Sequence, residues 1–214
     1  MANQIKSKQR VAEHGEVFTA EREVNAMLDL VKQETERIDS RFLEPACGNG
    51  NFLVEILRRK LTLIHDDVER VRVVCSIYGI DILQDNVEEC RERLLNIIRN
   101  FKHDKLEGDL LATIRFVLQR NIVWGDALTL CEPGPSPTLP NEGEPHPIIF
   151  SEWGFIGEKV KRRDYTLDML LRSQPMQEPN LFSDLGDEAF IPTPCAEYKP
   201  IHYLKLHTQD AAHQ

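Results

Sequence analysis

The residues with the most chemical content sit at a glycine-bearing turn, Cys47-Gly48-Asn49-Gly50-Asn51, and at an acid, Asp81, that closes a later apolar run. Gly48 and Gly50 give the backbone freedom for a tight strand-to-helix turn and let a ligand lie against bare main chain. The turn follows the run Phe42-Leu43-Glu44-Pro45-Ala46 and precedes Phe52, Leu53, Ile56 and Leu57, a helical pattern that ends around Leu63. A helix start offers unpaired N–H groups, so the turn reads as a cradle for a nucleotide-like ligand. A third spaced glycine and a Gly-Lys-Ser/Thr ending are both missing, which argues against a dinucleotide and against a phosphate-gripping loop. Asp81 ends the β-branched run Val71 to Asp81 and leads into a helical pattern from Leu83 to about Phe101. An acid at the carboxyl end of the second strand of a doubly wound sheet is placed to bond ribose hydroxyls, with Ile82 packing on the adenine face.

The elements that must position these groups fit one α/β domain. The chain has 214 residues, enough for one such core plus extensions. Lysine and arginine total 26 against 35 acids, a formal charge of −9, which gives no sign of the cationic face that gripping duplex DNA alone requires. The basic runs Arg58-Arg59-Lys60 and Lys159 to Arg163 read as solvated helix faces. Cys47, Cys75, Cys90, Cys131 and Cys195 show neither paired nor metal-ligand spacing, so a disulfide framework and a zinc site are not expected. No apolar run is long enough to span a membrane, and the polar start does not read as a secretory signal, so the expected compartment is the cytoplasm.

Leu43-Glu44-Pro45-Ala46-Cys47-Gly48-Asn49-Gly50-Asn51-Phe52 resembles the S-adenosylmethionine motif of class I methyltransferases, in the form D/E-P-A-C-G-x-G-x-F of DNA N6-adenine methyltransferases. Upstream, Gly15-Glu16-Val17-Phe18-Thr19 is similar to the G-x-[FV]-[FY]-T-P segment that closes over the methionine end of the cofactor, with Ala20 where proline is usual. Its place before the first strand is that of the γ group of amino-methyltransferases, restriction-modification methylases among them. Downstream, Gly125-Asp126-Ala127 follows the apolar run Asn121 to Trp124. The resemblance gives Asp126 the adenine amino group and Ala127 or Leu128 a packing role. It thus implies S-adenosyl-L-methionine as cofactor, held by Phe18, Thr19, Glu44, Pro45, Ala46, Cys47, Gly48, Gly50, Phe52, Asp81, Ile82, Asp126 and Ala127, with no metal. The implied fold is α/β, a Rossmann-like doubly wound, mostly parallel sheet.

The same family places [DNS]-P-P-[YFW] after its fourth strand, where an amide or carboxylate and a proline carbonyl accept hydrogen bonds from the exocyclic amine and an aromatic ring stacks on a flipped base. Here Ile148 to Phe155 reads as that strand, and Ser151-Glu152-Trp153 stands in the place of the signature. Serine or glutamate can accept a hydrogen bond and tryptophan can stack, but Pro-Pro is absent and the spacing is one residue short. These three are the candidate catalytic residues.

The expected organisation is a mobile segment 1–13, a methyltransferase domain 14–173 with a Pro/Gly-rich loop over 131–147, and an irregular extension 174–214 with a last strand near Ile201 to Leu206. Thr19 is placed to cap a helix carrying Val24, Met27, Leu28 and Val31; a short helix is expected over Leu110 to Leu118 and another over Gly157 to Arg172. The resemblance covers Gly15 to Phe155 and leaves little room for the remaining strands or a target-recognition region. It implies DNA as partner, reached through another subunit or by self-association. A non-catalytic scaffold of the same family, or a methyltransferase acting on a protein or small molecule, fits the same motifs, because the shared domain fixes the cofactor more firmly than the acceptor.

Overall fold

A computed structural model describes residues 5–101, 106–133, 146–172 and 192–210. The loop expected over 131–147 and the segment 174–191 therefore lie largely outside the described residues.

Two sheets organise these residues. The first is parallel, three strands in the order β1 (Phe42–Glu44), β2 (Ile77–Asp81), β3 (Ile122–Trp124). Helices fill its connections: α4 (Asn51–Leu61) and α5 (Asp67–Cys75) between β1 and β2, α6 (Gln84–Asn100) and α7 (Gly108–Asn121) between β2 and β3. β2 is the central strand and all five of its residues are buried, as a parallel strand covered on both faces requires. On one face Leu53 of α4 packs at Gly79; on the other Ile148 packs near Ile80 at Gly125. The second sheet is antiparallel: β4 (Ile149–Ile156) pairs along its length with β5 (Lys159–Thr166), and β5 also pairs with β6 (Ala196–Glu197) and β7 (Ile201–His202). The chain is thus an α/β protein with a parallel sheet, its helices and a separate antiparallel sheet.

Several expectations need correction. Within the N-terminal segment α1 (Lys8–His14) is capped by the Ser7 side chain, which accepts from the Arg10 amide, and by Gly15 in the left-handed region. Thr19 does not cap α2 (Glu21–Leu30), which begins after Ala20 without a side-chain bond and is followed by the single-turn α3 (Lys32–Thr35). Only the end of the run Val71 to Asp81 is a strand. Asp66 accepts from the Glu69 amide and starts α5, and burial of Val71, Val73 and Val74 outweighs their β propensity. α7 is longer than Leu110 to Leu118. Beyond β7 the chain turns into a 3-10 helix, Tyr203–Thr208, whose Leu206 is fully buried.

The largest correction concerns residues 148–172. Rather than a fourth parallel strand followed by a helix, they form the β4–β5 hairpin and the short α8 (Leu167–Arg172). Gly157 begins the two-residue turn with φ of 58°, the conformation such hairpins favour. The period-two pattern of β5 is hidden because two of its buried residues are charged. Arg162 is buried with Asp164: its Nε donates to Asp164 Oδ1 at 2.7 Å and its Nη1 to Asp210 Oδ1 at 2.7 Å, while its guanidinium lies 4.1 Å from the Tyr198 ring. Of the run Arg58-Arg59-Lys60, Arg58 stays exposed, whereas Lys60 turns inward. It is fully buried, donates to the Ile38 and Ser40 carbonyls and to Ser76 Oγ, and burial holds its ammonium down at about 8.

Candidate functional site

The glycine turn is built by local geometry. The Cys47 amide donates to Ile80 O at 2.8 Å, which fastens the end of β1 to β2, and the Gly50 amide returns to Cys47 O at 2.8 Å. Gly48 and Gly50 hold φ of 53° and 88°, values that cost a side-chain-bearing residue free energy. Space constrains the same positions. A Cβ on Gly48 would stand 3.0 Å from the Phe18 ring, and one on Gly50 would stand 2.5 Å from Cys90 Sγ.

Above this turn lies a cavity of about 580 Å³ at the carboxyl ends of the three parallel strands. The sequence brought thirteen residues to a cofactor, and the structure brings twelve of them to this one cavity: Phe18 and Thr19 from the segment after α1; Glu44 to Gly48 and Phe52 from β1, the turn and α4; Asp81 and Ile82 from β2; Asp126 and Ala127 from the loop after β3. Gly50 does not line it and acts through its approach to Cys90. The cavity also takes in Glu16, Asn49 and Asn86, which sequence reasoning did not single out.

Asp81 is engaged by the protein itself. Its Oδ2 accepts from the Gly48 amide at 2.8 Å, and its Oδ1 from the Leu83 amide at 2.9 Å and Asn86 Nδ2 at 3.2 Å. It thus sets the turn and the start of α6 together. Asn86 Nδ2 also donates to Glu16 Oε1 at 2.7 Å. Glu16 accepts from Arg10 Nε at 2.6 Å, and Arg10 Nη1 reaches Asp85 Oδ2 at 2.6 Å. Lys6 Nζ bonds Asp85 and Glu89 and lies 5.9 Å from the Phe18 ring centre. These ion pairs fasten α1 and the Phe18 segment to the start of α6, so the roof over the turn is tied to the acid that shapes it. Asn51 Nδ2 adds a bond to Thr19 O at 2.9 Å.

Asn49 Oδ1 is buried without a hydrogen-bond partner, while its Nδ2 is held by Glu89 at 3.1 Å. Glu44 lines the same space, and burial pushes its carboxyl above the ordinary range, only partly offset by the Ala46 backbone N–H. A desolvated carboxylate on the cavity wall suits a cationic group. Cys47 is buried, and its contact with Cys90 together with that burial pushes its thiol upward. Asp126 Oδ1 accepts from the Leu128 amide at 2.8 Å, shaping the loop that forms the far wall.

Ser151, Glu152 and Trp153 are not part of this cavity. Ser151 is buried and donates to Asp164 Oδ1 at 2.7 Å. Glu152 pairs with Arg41 at 3.2 Å and Arg163 at 3.5 Å. Trp153 packs edge-on against Phe116 with ring centres 6.2 Å apart and donates to Asn121 Oδ1 at 3.0 Å. Their place in a hairpin of the second sheet, rather than at the end of a parallel strand, removes them from the turn. Among the described residues no group of histidine, cysteine and acidic side chains is arranged to hold a metal, and no helix is long and apolar enough to cross a membrane. No family model, no curated protein and no solved structure matches the chain.

Proposed function

We propose that the chain is the cofactor-binding part of an S-adenosylmethionine-dependent amino-methyltransferase of the DNA adenine type, with a Rossmann-like domain around the parallel sheet. The observation that supports this best is the convergence of three separate motifs, at Phe18, at Gly48 and at Asp81 with Asp126, on one cavity of about 580 Å³. That size suits a nucleoside with an amino-acid tail. Bound there, S-adenosylmethionine supplies an electrophilic methyl group to an adenine amino nitrogen. The chain's own residues do the rest: Glu44 faces the cationic amino-acid end, Asp81 and Asn86 the ribose, Ile82 and Asp126 the base. Their contribution is alignment and exclusion of water.

A non-catalytic scaffold is the second reading, favoured by the burial of Ser151 and the packing of Trp153 away from the cavity. Calorimetric titration with S-adenosylmethionine tests both readings: binding is expected, and Gly48→Val is expected to abolish it. Absence of binding by the well-folded wild-type chain overturns both. Transfer of radiolabelled methyl groups to unmethylated DNA, with the chain alone and with a partner subunit, separates them. Incorporation supports the enzyme; tight binding with no incorporation under either condition supports the scaffold.

A further inference from the structure

Asn86 lies in the first turn of α6, is buried, and lines the cavity. An amide side chain carries two N–H donors and two acceptor lone pairs, and protein groups take all four. Its Nδ2 donates to Asp81 Oδ1 at 3.2 Å and to Glu16 Oε1 at 2.7 Å; its Oδ1 accepts from Lys6 Nζ at 2.8 Å and from Arg10 Nη2 at 3.2 Å. Three of these partners belong to the segment that carries α1 and the roof, and the fourth is the acid that holds the Gly48 amide. Charge does most of the work of holding that segment down. No described residue before Val24 is buried, and the Phe18 ring on Gly48 is its main apolar contact with the turn. Lys6 and Arg10 meet Glu16, Asp85 and Glu89. Asp85 and Glu89 stand one turn apart on α6, where they repel each other unless those cations are present. Ion pairs in such partly exposed places are individually weak and are screened by salt.

We infer that residues 5–19 are a strap that opens and closes over the cavity, and that Asn86 is the positioning residue that passes its state to Asp81 and the glycine turn. With the strap closed, Glu16, Lys6 and Arg10 fix the Asn86 amide from three sides and aim its remaining N–H at Asp81. Lifting the strap withdraws all three at once. A buried amide stripped of most of its partners is costly, so it turns or takes up water and Asp81 loses a fixed donor. The carboxylate that holds the Gly48 amide is thereby loosened in the same movement that clears Glu16, Val17 and Phe18 from the cavity. Access and floor shape change together, as one two-state element. The inference rests on the amino-methyltransferase reading for the ligand alone, under which S-adenosylmethionine enters and S-adenosylhomocysteine leaves while the strap is open.

The test begins with the isotopically labelled full chain and no ligand. Its readouts are hydrogen exchange at Asn86 Nδ2, at the Gly48 amide and at the Val11 amide, which donates to Ser7 O within α1. All three are expected to speed about tenfold when salt is raised far enough to shorten the screening length roughly threefold, while the amides of β2 keep their rates. Arg10→Gln is expected to show the fast rates at low salt and little further response. In Asn86→Ala the Val11 rate is expected to follow salt still, with the Gly48 rate no longer following it. Stopped-flow binding of S-adenosylhomocysteine, which lacks the sulfonium charge and is little steered by the protein's field, separates a strap from a fixed roof. Loss of fixed contacts speeds dissociation alone, whereas a strap that must open limits association too. Arg10→Gln is therefore expected to raise both rates about fivefold. The strap is overturned by exchange that ignores both salt and Arg10→Gln, and by faster dissociation with association unchanged. A Gly48 rate that still follows salt in Asn86→Ala overturns the role given to Asn86. Failure of S-adenosylmethionine and S-adenosylhomocysteine to bind, with the exchange responses intact, removes the methyltransferase reading and leaves the strap.

Discussion

The Gly48 amide donates to Oδ2 of Asp81 at 2.8 Å, across the tops of β1 and β2. One carboxylate thereby fixes the left-handed turn that bares the main chain to a ligand and, through Leu83 and Asn86, the helix start beside it. Asp81 is a builder of the cavity as well as part of its lining. Asp81→Ala is expected to lose charge-assisted bonds of about 1.5–3 kcal/mol each way of counting and to weaken S-adenosylmethionine binding at least tenfold, whereas Asp81→Glu retains the charge and part of the affinity. Calorimetry on both variants checks this. Equal affinity for wild type and Asp81→Ala excludes the assigned role.

The Phe18 ring closes over Gly48 so nearly that a Cβ there would meet it at 3.0 Å. Phe18→Ala opens the roof without touching the turn. It is expected to speed cofactor dissociation roughly tenfold, the scale of a lost ~1.4 kcal/mol contact, in stopped-flow displacement. An unchanged off-rate places the roof elsewhere.

Burial raises the Glu44 carboxyl above the ordinary value of about 4.3. Raised in this sense, it contributes stability that is present below its unfolded value and is lost as pH rises through the folded one. For a cationic ligand the dependence runs the other way, because the ionised carboxylate is the binding form. Affinity is expected to fall with pH through a midpoint higher than an ordinary glutamate's, and Glu44→Gln is expected to flatten that limb. A titration from pH 8 to pH 5 reads both.

Asp85, hydrogen-bonded by Arg10 and by Lys6, is held down to about 2. A depressed carboxylate adds stability that is present above its unfolded value near 3.8 and is lost as pH falls toward 2. Acid denaturation followed by circular dichroism is expected to lose part of its slope in this window in Asp85→Asn. The same variant is expected to weaken cofactor binding at high salt less than at low salt, since part of the roof's exposed ion pairing is already gone.

Trp153 packs on Phe116 and donates to Asn121. Trp153→Ala is expected to cost about 2–3 kcal/mol in urea unfolding, below the ~3–5 of a fully buried tryptophan. Cofactor affinity is expected to stay within twofold of wild type. A selective loss of affinity with stability unchanged contradicts the position given to this residue.

Much of the cavity was legible in the chain alone because its parts are local. Gly48 and Gly50 announce a left-handed turn, and a strand ending in Asp81 announces an acid beside it. Such features depend on neighbours within a few residues, so spacing carries them. The α/β character was legible for the same reason, through the helical periods of α4 and α6.

Residues 148–172 were not legible, because what decides them is distant in sequence. Arg162 and Asp164 face inward only because Ser151, Tyr198 and Asp210 meet them there. A charged residue on the buried face erases the alternation by which a strand is recognised. The helical reading of Val71 to Cys75 was lost similarly, since the Asp66 cap and burial outweighed β-branched propensity. Sequence by itself determined the glycine turn, the acid at the end of β2 and the chemistry they invite. Tertiary structure alone decided that Ser151, Glu152 and Trp153 stand apart from the cavity. Which strands pair across long separations depends on the free energy of the whole packed core, which no short stretch of residues encodes.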